Sequence, residues 1–160
     1  MKKAFSGFII VSLLAYAYVL FVMLFVGFSR GMVIVSEHML DNYNYLNSVN
    51  LLPFKTIMEY ISAIFDGSAR GHAIRNLSGN LFLLFPAGFY LPFFVQKTSK
   101  LKIYSIVMAS IIIAIEIAQL ATKSGSSDID DFILNFAGAL IGFLFFARTP
   151  LRTLFKLRAW

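Results

Sequence analysis

Acidic and amide side chains interrupt an otherwise apolar stretch of this chain, and their types and spacing could support chemistry. Glu116 and Gln119 lie three residues apart, and Asp131 and Asn135 lie four apart. Residues at these separations share one face of a helix, so each pair predicts a polar stripe. Carboxylates can hold hard cations, and carboxamides give directional hydrogen bonds. The two stripes are therefore candidates for a binding site.

A third stripe is predicted by Asn76 and Asn80, which are four residues apart and follow directly after Arg75. The guanidinium could attract an anionic phosphate or carboxylate, and the two carboxamides could add hydrogen bonds to it. Asparagines in membrane helices also bond neighbouring helices together without binding anything else. The residue types leave both interpretations open.

A metal site is an alternative, because Asp128 and Asp131 are three residues apart and could hold a hard cation together with Glu116. Oxygen ligands in a chain without cysteine favour Mg²⁺ or Ca²⁺ over softer metals. A purely structural alternative is that these acids lie in a first helical turn, with Ser127-x-x-Asp130 as a capping box. We expect no resident cofactor and keep Mg²⁺ or Ca²⁺ as the alternative. The sequence contains no catalytic triad, phosphate-binding glycine loop or zinc motif, so enzymatic activity stays open.

The elements that carry these residues are predicted from composition. Of the 160 residues, 59% are hydrophobic and only 14% are charged, whereas soluble domains are about a quarter charged. Stretches of roughly 20 apolar residues can span a bilayer as helices, and four occur, at about 4–28, 75–95, 102–122 and 130–147. We therefore predict an all-α polytopic membrane protein, with residues 1–160 in one domain. The first span lacks a cleavage pattern and is interpreted as a retained anchor.

The orientation follows from the charges beside the spans, since cytoplasmic loops carry an excess of Lys and Arg. With the N-terminus in the cytoplasm, the inner side holds Lys2, Lys3, Lys97, Lys100, Lys102, Arg148, Arg152, Lys156 and Arg158. None of the acidic residues then falls on the inner side. We predict a plasma-membrane protein with both termini in the cytoplasm, and exclude nucleic acid as the partner of the basic residues.

The first outer loop, residues 29–74, contains a predicted amphipathic helix that begins near Pro53. Apolar residues recur after it at helical spacing: Phe54, Ile57, Met58, Ile61, Ile64 and Phe65. A helix of about three turns is too short to span, so we expect it to lie along the outer interface or against the bundle.

In the fourth span, Gly138-x-x-x-Gly142 would let another helix approach closely. The neighbour could be one of the chain's own helices or a second copy of the protein, so self-association through this face is a possible interaction.

At about 1.5 Å of rise per residue, the polar groups of three spans come to similar depths below the outer end of each helix. Burying a polar group in lipid without a partner is costly, so these groups should face one another. We predict that they line one outward-facing pocket, with Glu116 bonded to Arg75, Asn80, Asn135 or Gln119. Alternatively Glu116 is protonated, since burial disfavours the charged form.

Four stretches occur in order over roughly residues 50–142: "NLLPF", "RNLSGNLFLLFPAGFYLP", "EIAQ" and "SGSSDIDDFILNFAGALIG". Together they resemble the VanZ-like family of bacterial membrane proteins. Members of this family often have an arginine shortly before the aspartates, where this chain has Gly125. The resemblance implies a role in resistance to teicoplanin and related glycopeptide or lipoglycopeptide antibiotics, and it leaves the mechanism open.

Two mechanisms follow from the predicted pocket. In the first, the pocket binds or modifies an outer-leaflet component of the envelope: a membrane lipid, a lipid-linked cell-wall precursor or the glycopeptide itself. In the second, the chain is a metal-dependent membrane enzyme that acts on a lipid phosphate or headgroup. The candidate site residues are Arg75, Asn76, Asn80, Glu116, Gln119, Asp128, Asp131 and Asn135.

Overall fold

The computed structural model describes residues 2–27, 49–122 and 127–149, and almost all of these are helical. The six α-helices among the described residues are α1 (Lys2–Phe21), α2 (Lys55–Asp66), α3 (Arg70–Leu83), α4 (Ala87–Phe94), α5 (Leu101–Ala121) and α6 (Ile129–Arg148). A π-helical segment, Val22–Gly27, continues α1, and a 3₁₀ turn, Gln96–Ser99, precedes α5. Two-residue extended segments, β1 (Val49–Asn50) and β2 (Ser127–Asp128), pair with each other.

Four helical segments are long and apolar enough to cross a membrane: Gly7–Val26, Arg70–Phe94, Leu101–Ala121 and Ile129–Arg148. The predicted all-α polytopic membrane fold is therefore confirmed. The second segment begins five residues before the predicted 75, so Arg75 lies inside α3 rather than at its start. Three parts of the sequence that entered the predictions lie outside the described residues. They are residues 28–48 of the predicted outer loop, residues 123–126 with Gly125, and the basic C-terminal residues after Thr149.

The chain folds as two compact units, one of residues 1–49 and 117–127 and the other of residues 50–116 and 128–160. In the first unit, Gln119 Nε2 donates a hydrogen bond of 3.0 Å to the main-chain oxygen of Leu24. Large apolar side chains of α1 such as Phe8, Leu14 and Tyr18 are exposed, which suits a helix surrounded by lipid. All other candidate site residues belong to the second unit. The prediction of one domain stays a prediction.

The second span is broken between α3 and α4 at Pro86. A proline lacks an N–H group and disfavours helical geometry in the residue before it. The chain crosses the break with short bonds of the 3₁₀ type, from Phe85 N to Phe82 O (3.3 Å) and from Gly88 N to Phe85 O (3.1 Å). On either side of the break, the main-chain oxygens of Leu81 and Phe85 lie close to glycines of α6.

Glycines let α6 contact the broken span closely. A Cβ atom added to Gly138 would overlap the main-chain oxygen of Leu81, and one added to Gly142 would overlap that of Phe85. Gly88 of α4 meets the main chain of Gly142 and Phe143 in the same way. The predicted close-approach face therefore contacts the chain's own helices. Self-association through Gly138 and Gly142 would have to displace α3 and α4.

Helix α5 has one buried edge and contacts α6 through Tyr104. Tyr104, Met108 and Ile112 are spaced four residues apart on α5 and are all essentially unexposed. The Tyr104 hydroxyl donates to the main-chain oxygen of Ala139 at 3.0 Å, and its ring lies 4.5 Å from that of Phe143 between centroids. This edge holds the helix that carries Glu116.

The short helix α2 has the predicted length of about three turns but begins at Lys55, so Pro53 lies before the helix and not in its first turn as predicted. Its apolar residues do not form a single face. Thr56, Ile57, Tyr60, Ala63 and Ile64 are half-buried on one side of the helix. A second side, made of Met58, Ile61 and Phe65, is exposed. The helix therefore packs on one side and leaves another apolar side exposed.

Candidate functional site

Asp128, the residue before α6, ties that helix to α2. Its Oδ1 accepts from Asn50 Nδ2 at 3.0 Å, and its Oδ2 accepts from Thr56 Oγ1 at 2.6 Å. The same Oδ1 accepts from the main-chain N of Asp130 at 2.9 Å, which makes Asp128 the N-cap of α6. The predicted capping box from Ser127 is therefore wrong by one residue. The Ser127 side chain lies outside the described residues.

Asp130 holds the start of α2 and is completely buried. Its Oδ1 accepts from Phe54 N at 2.5 Å and its Oδ2 from Ile57 N at 3.1 Å. The first N–H groups of a helix have no partners within that helix, so a carboxylate from α6 takes the place of a local cap. Phe54 has a left-handed backbone with φ of 68°, a conformation that is unfavourable for a residue with a side chain. The bond to Asp130 helps to hold it there.

Five residues from three helices form a continuous chain of hydrogen bonds, which we call the polar ladder: Tyr60, Asn76, Asn80, Asp131 and Asn135. Asn76 Nδ2 donates to the Tyr60 hydroxyl at 2.6 Å, and Asn80 Nδ2 donates to Asn76 Oδ1 at 3.0 Å. Asn80 Nδ2 also donates to Asp131 Oδ1. Asn135 Nδ2 donates to the main-chain oxygen of Asp131 at 2.9 Å and to Asn80 Oδ1 at 3.5 Å. The polar stripes of α3 and α6 thus meet each other.

Glu116 lies apart from this bonding. Its Oε2 atom is buried and has no hydrogen-bond partner among the described residues, although the charges of Asp131 and Asp128 act on it. The predicted partners of Glu116 are wrong, because the amides of Asn80 and Asn135 donate within the ladder.

The two other predicted partners of Glu116 are also engaged or placed elsewhere. Gln119 donates to Leu24 in the first unit, and Arg75 is exposed.

Basic side chains are absent from the interior of the second unit as far as it is described. Its lysines and arginines are all exposed: Lys55, Arg70, Arg75, Lys97, Lys100, Lys102 and Arg148. The ladder and Glu116 therefore form a region whose formal charges are negative.

Tyr60 lies in that negative environment. Burial and then the negative charges of Asp131 and Asp128 raise the pKa of the Tyr60 phenol, partly opposed by the bond from Asn76. A raised pKa keeps the phenol protonated, so the hydroxyl retains a proton to donate.

The described residues offer little to a metal ion. Among residues 2–27, 49–122 and 127–149, no group of three or more His, Cys, Asp or Glu side chains is placed to hold one. Both carboxylate oxygens of Asp128 already accept bonds from Asn50 and Thr56. The Mg²⁺ or Ca²⁺ alternative stays a prediction.

The polar ladder lies in the part of the chain that comparison with known proteins covers. The model of the VanZ/LLP1 family matches residues 13–153. The chain belongs to the VanZ/LLP1 family. No curated protein and no solved structure matched it. In this VanZ/LLP1 chain, the matched residues include every member of the ladder, Glu116, and the anchors of α2.

Sequence reasoning missed four residues of the site in the VanZ/LLP1 chain: Asn50, Thr56, Tyr60 and Asp130. Thr56 and Asp130 join α2 to the start of α6, Tyr60 joins α2 to α3, and Asn50 bonds to both Thr56 and Asp128. Thr56 and Tyr60 are four residues apart and interrupt the apolar pattern of α2, a signal that could have marked a polar contact side. No comparable signal distinguishes Asp130 from the acids beside it.

Proposed function

We propose that this protein contributes to resistance to glycopeptide antibiotics of the teicoplanin type by binding an outer-leaflet component of the bacterial envelope at the polar ladder and Glu116. Family membership supports the resistance role. The observation that carries the binding role is the ladder itself, since three helices contribute half-buried polar groups that bond to one another. Polar groups within membrane helices are costly and commonly mark ligand pathways.

The proposed orientation places both termini in the cytoplasm and the ladder near the outer surface of the plasma membrane. It rests on the excess of Lys and Arg beside the inner ends of the spans. In this orientation α2 lies at the outer interface, with its exposed Met58, Ile61 and Phe65 side in contact with lipid. Occupation of the ladder by an envelope component would then reduce the amount of drug that reaches its target.

Asn80→Ala tests the proposal most directly, because Asn80 contacts Asn76, Asp131 and Asn135. The bond from Asn80 to the carboxylate of Asp131 is worth about 1.5 to 3 kcal/mol, so its loss would disrupt the arrangement of polar groups that the ligand would meet. We expect the minimum inhibitory concentration of teicoplanin to fall towards that of a strain without the protein.

Ser78→Ala is the matched control, since Ser78 is on the same helix and its hydroxyl bonds only to the main chain of α3. The amount of each variant in the membrane is measured in parallel. If Asn80→Ala protein, inserted at the normal level, protects cells as well as the wild type, the ladder is not the binding site.

The alternative function is a metal-dependent membrane enzyme acting on a lipid phosphate or headgroup. It is favoured by one observation, that Glu116 lies in the field of Asp131 and Asp128. A bound Mg²⁺ or Ca²⁺ would stabilise the folded protein by mass action, so EDTA would lower its unfolding temperature in detergent. An unfolding temperature that responds to neither Mg²⁺ nor EDTA would count against this alternative.

A further inference from the structure

The end of α4, the start of α5 and the end of α6 lie together at one end of the second unit. The second span runs along α6 in the same direction, and Phe89 of α4 meets Phe146 near the end of that helix, with 5.3 Å between ring centroids. Tyr104, in the first turn of α5, meets Phe143, with 4.5 Å between ring centroids. These are ends of the second, third and fourth candidate spans, so this end of the unit lies at headgroup level when the spans cross a bilayer.

Four basic side chains are placed at this end of the second unit, and we call them the basic end: Lys97, Lys100, Lys102 and Arg148. All four are exposed. Each lies at the end of a span or within one turn of it. The bundle therefore presents positive charge from three of its segments at the same level.

Acidic residues that could neutralise the basic end are missing from this part of the chain. The sequence has no Asp or Glu in residues 67–115 or after Asp131. The acids of the second unit belong instead to α2 and to the start of α6, or lie in the field of Asp131 as Glu116 does. The positive charges of the basic end thus have no carboxylate of the second unit beside them.

The turn that carries Lys97 and Lys100 is held in place and borders apolar surface. Thr98, between the two lysines, is 1% exposed, and its hydroxyl donates to the main-chain oxygen of Val95 at 2.6 Å. Val95 and Leu101, on either side of the turn, are 45% and 48% exposed. A soluble anion would meet only the charges. A lipid would offer a charged headgroup to the lysines and acyl chains to the apolar side chains.

From this arrangement we propose that the basic end binds the phosphate groups of anionic phospholipids in the leaflet that it faces. Lys and Arg directly beside membrane spans attract anionic lipids, and each contributes roughly fivefold in affinity. In the proposed orientation this leaflet is the cytoplasmic one. The site is distinct from the ladder, and it does not depend on the proposed function.

The test adds lipids to the purified full-length protein in neutral detergent and follows its unfolding temperature. Phosphatidylglycerol has a net negative headgroup, whereas phosphatidylcholine has a phosphate but no net charge. Phosphatidylglycerol is expected to raise the unfolding temperature in a saturable manner, and less so at high salt, because salt screens exposed charges. Phosphatidylcholine is expected to have little effect. An equal rise with phosphatidylcholine overturns the proposal, as does no rise with phosphatidylglycerol.

Replacing Lys97, Lys100 and Lys102 together by Gln removes three exposed charges and is expected to weaken the binding of phosphatidylglycerol about a hundredfold. Replacing the same three residues by Arg keeps the charges and should keep the binding. Lys55→Gln removes an exposed positive charge from α2 and is expected to bind as the wild type does. Undiminished binding by the triple Gln variant overturns the proposal. If that variant does not fold, the comparison of the two lipids on wild-type protein still decides.

Inorganic phosphate and polyglutamate distinguish a lipid from a soluble anion as the ligand of the basic end. Neither has an acyl chain, so neither is expected to raise the unfolding temperature as phosphatidylglycerol does. An equal rise with either one would assign the basic end to a soluble acidic partner and overturn the lipid proposal. Because the protein is in detergent, the result does not depend on the direction in which the chain inserts.

Discussion

Gly138→Ala is expected to destabilise the folded protein by about 3 kcal/mol, at the upper end of the usual cost of overpacking. The reason is that the new methyl group would overlap the main-chain oxygen of Leu81. A flexible side chain could move aside, but a carbonyl held within a helix moves only if α3 and α6 separate. Unfolding in detergent by heat or denaturant measures the loss, and insertion into the membrane is checked separately.

Gly79→Ala is the control for Gly138→Ala. Gly79 lies in α3, and a Cβ atom there meets nothing within 4 Å. Alanine favours a helix over glycine by up to about 1 kcal/mol, so this variant should be as stable as the wild type or more stable. Equal stability of Gly138→Ala and Gly79→Ala would mean that α6 does not contact α3 through its glycine face.

Asp130→Ala is expected to release α2 from the rest of the second unit at a cost of about 3 to 5 kcal/mol. Two bonds from main-chain N–H groups to a buried carboxylate are lost, each worth about 1.5 to 3 kcal/mol. The N–H groups of Phe54 and Ile57 lose their acceptor. Hydrogen exchange of the α2 amides should accelerate by several orders of magnitude, while exchange in α5 changes far less.

Two further variants test the role of Asp130. Asp130→Asn keeps one carbonyl oxygen but turns an NH₂ group towards the second N–H, so an intermediate effect is expected. Glu59→Gln removes an exposed negative charge from α2 itself and should leave exchange unchanged. Protection of α2 in Asp130→Ala equal to that of the wild type would show that other contacts hold the helix.

The polar stripes were predictable because spacing alone places two residues on one helix face. Asn76 with Asn80 and Asp131 with Asn135 do bond within their own helices. Their contact with each other was an inference from depth and cost of burial. The opposite case is Glu116, for which Gln119 on the same helix face was one of the predicted partners. Gln119 instead bonds to Leu24, since a shared face does not determine which neighbour lies opposite.

The acids near Asp128 show why local patterns were insufficient. Asp130 and Asp131 do lie in the first turn of α6, as predicted. That position alone did not show that the two side chains have different partners. Asp130 caps a different helix and Asp131 bonds to Asn80. Local patterns also did not determine which side of α2 faces the other helices. Asp128 and Asp130 bond to Thr56 and Ile57, so the side with Met58 and Phe65 faces outwards.

Composition and hydrophobic length were enough to specify a four-span helical membrane protein, because insertion into lipid depends on each segment's own side chains and backbone. The motifs that indicated the family could likewise be identified from the sequence alone. The partners of each polar group depended on the packed arrangement. A buried polar atom can bond only to groups on the helices packed around it, and these groups are distant from it in the sequence. For that reason the unpaired oxygens of Glu116 and Asn135 could be recognised only in the folded protein.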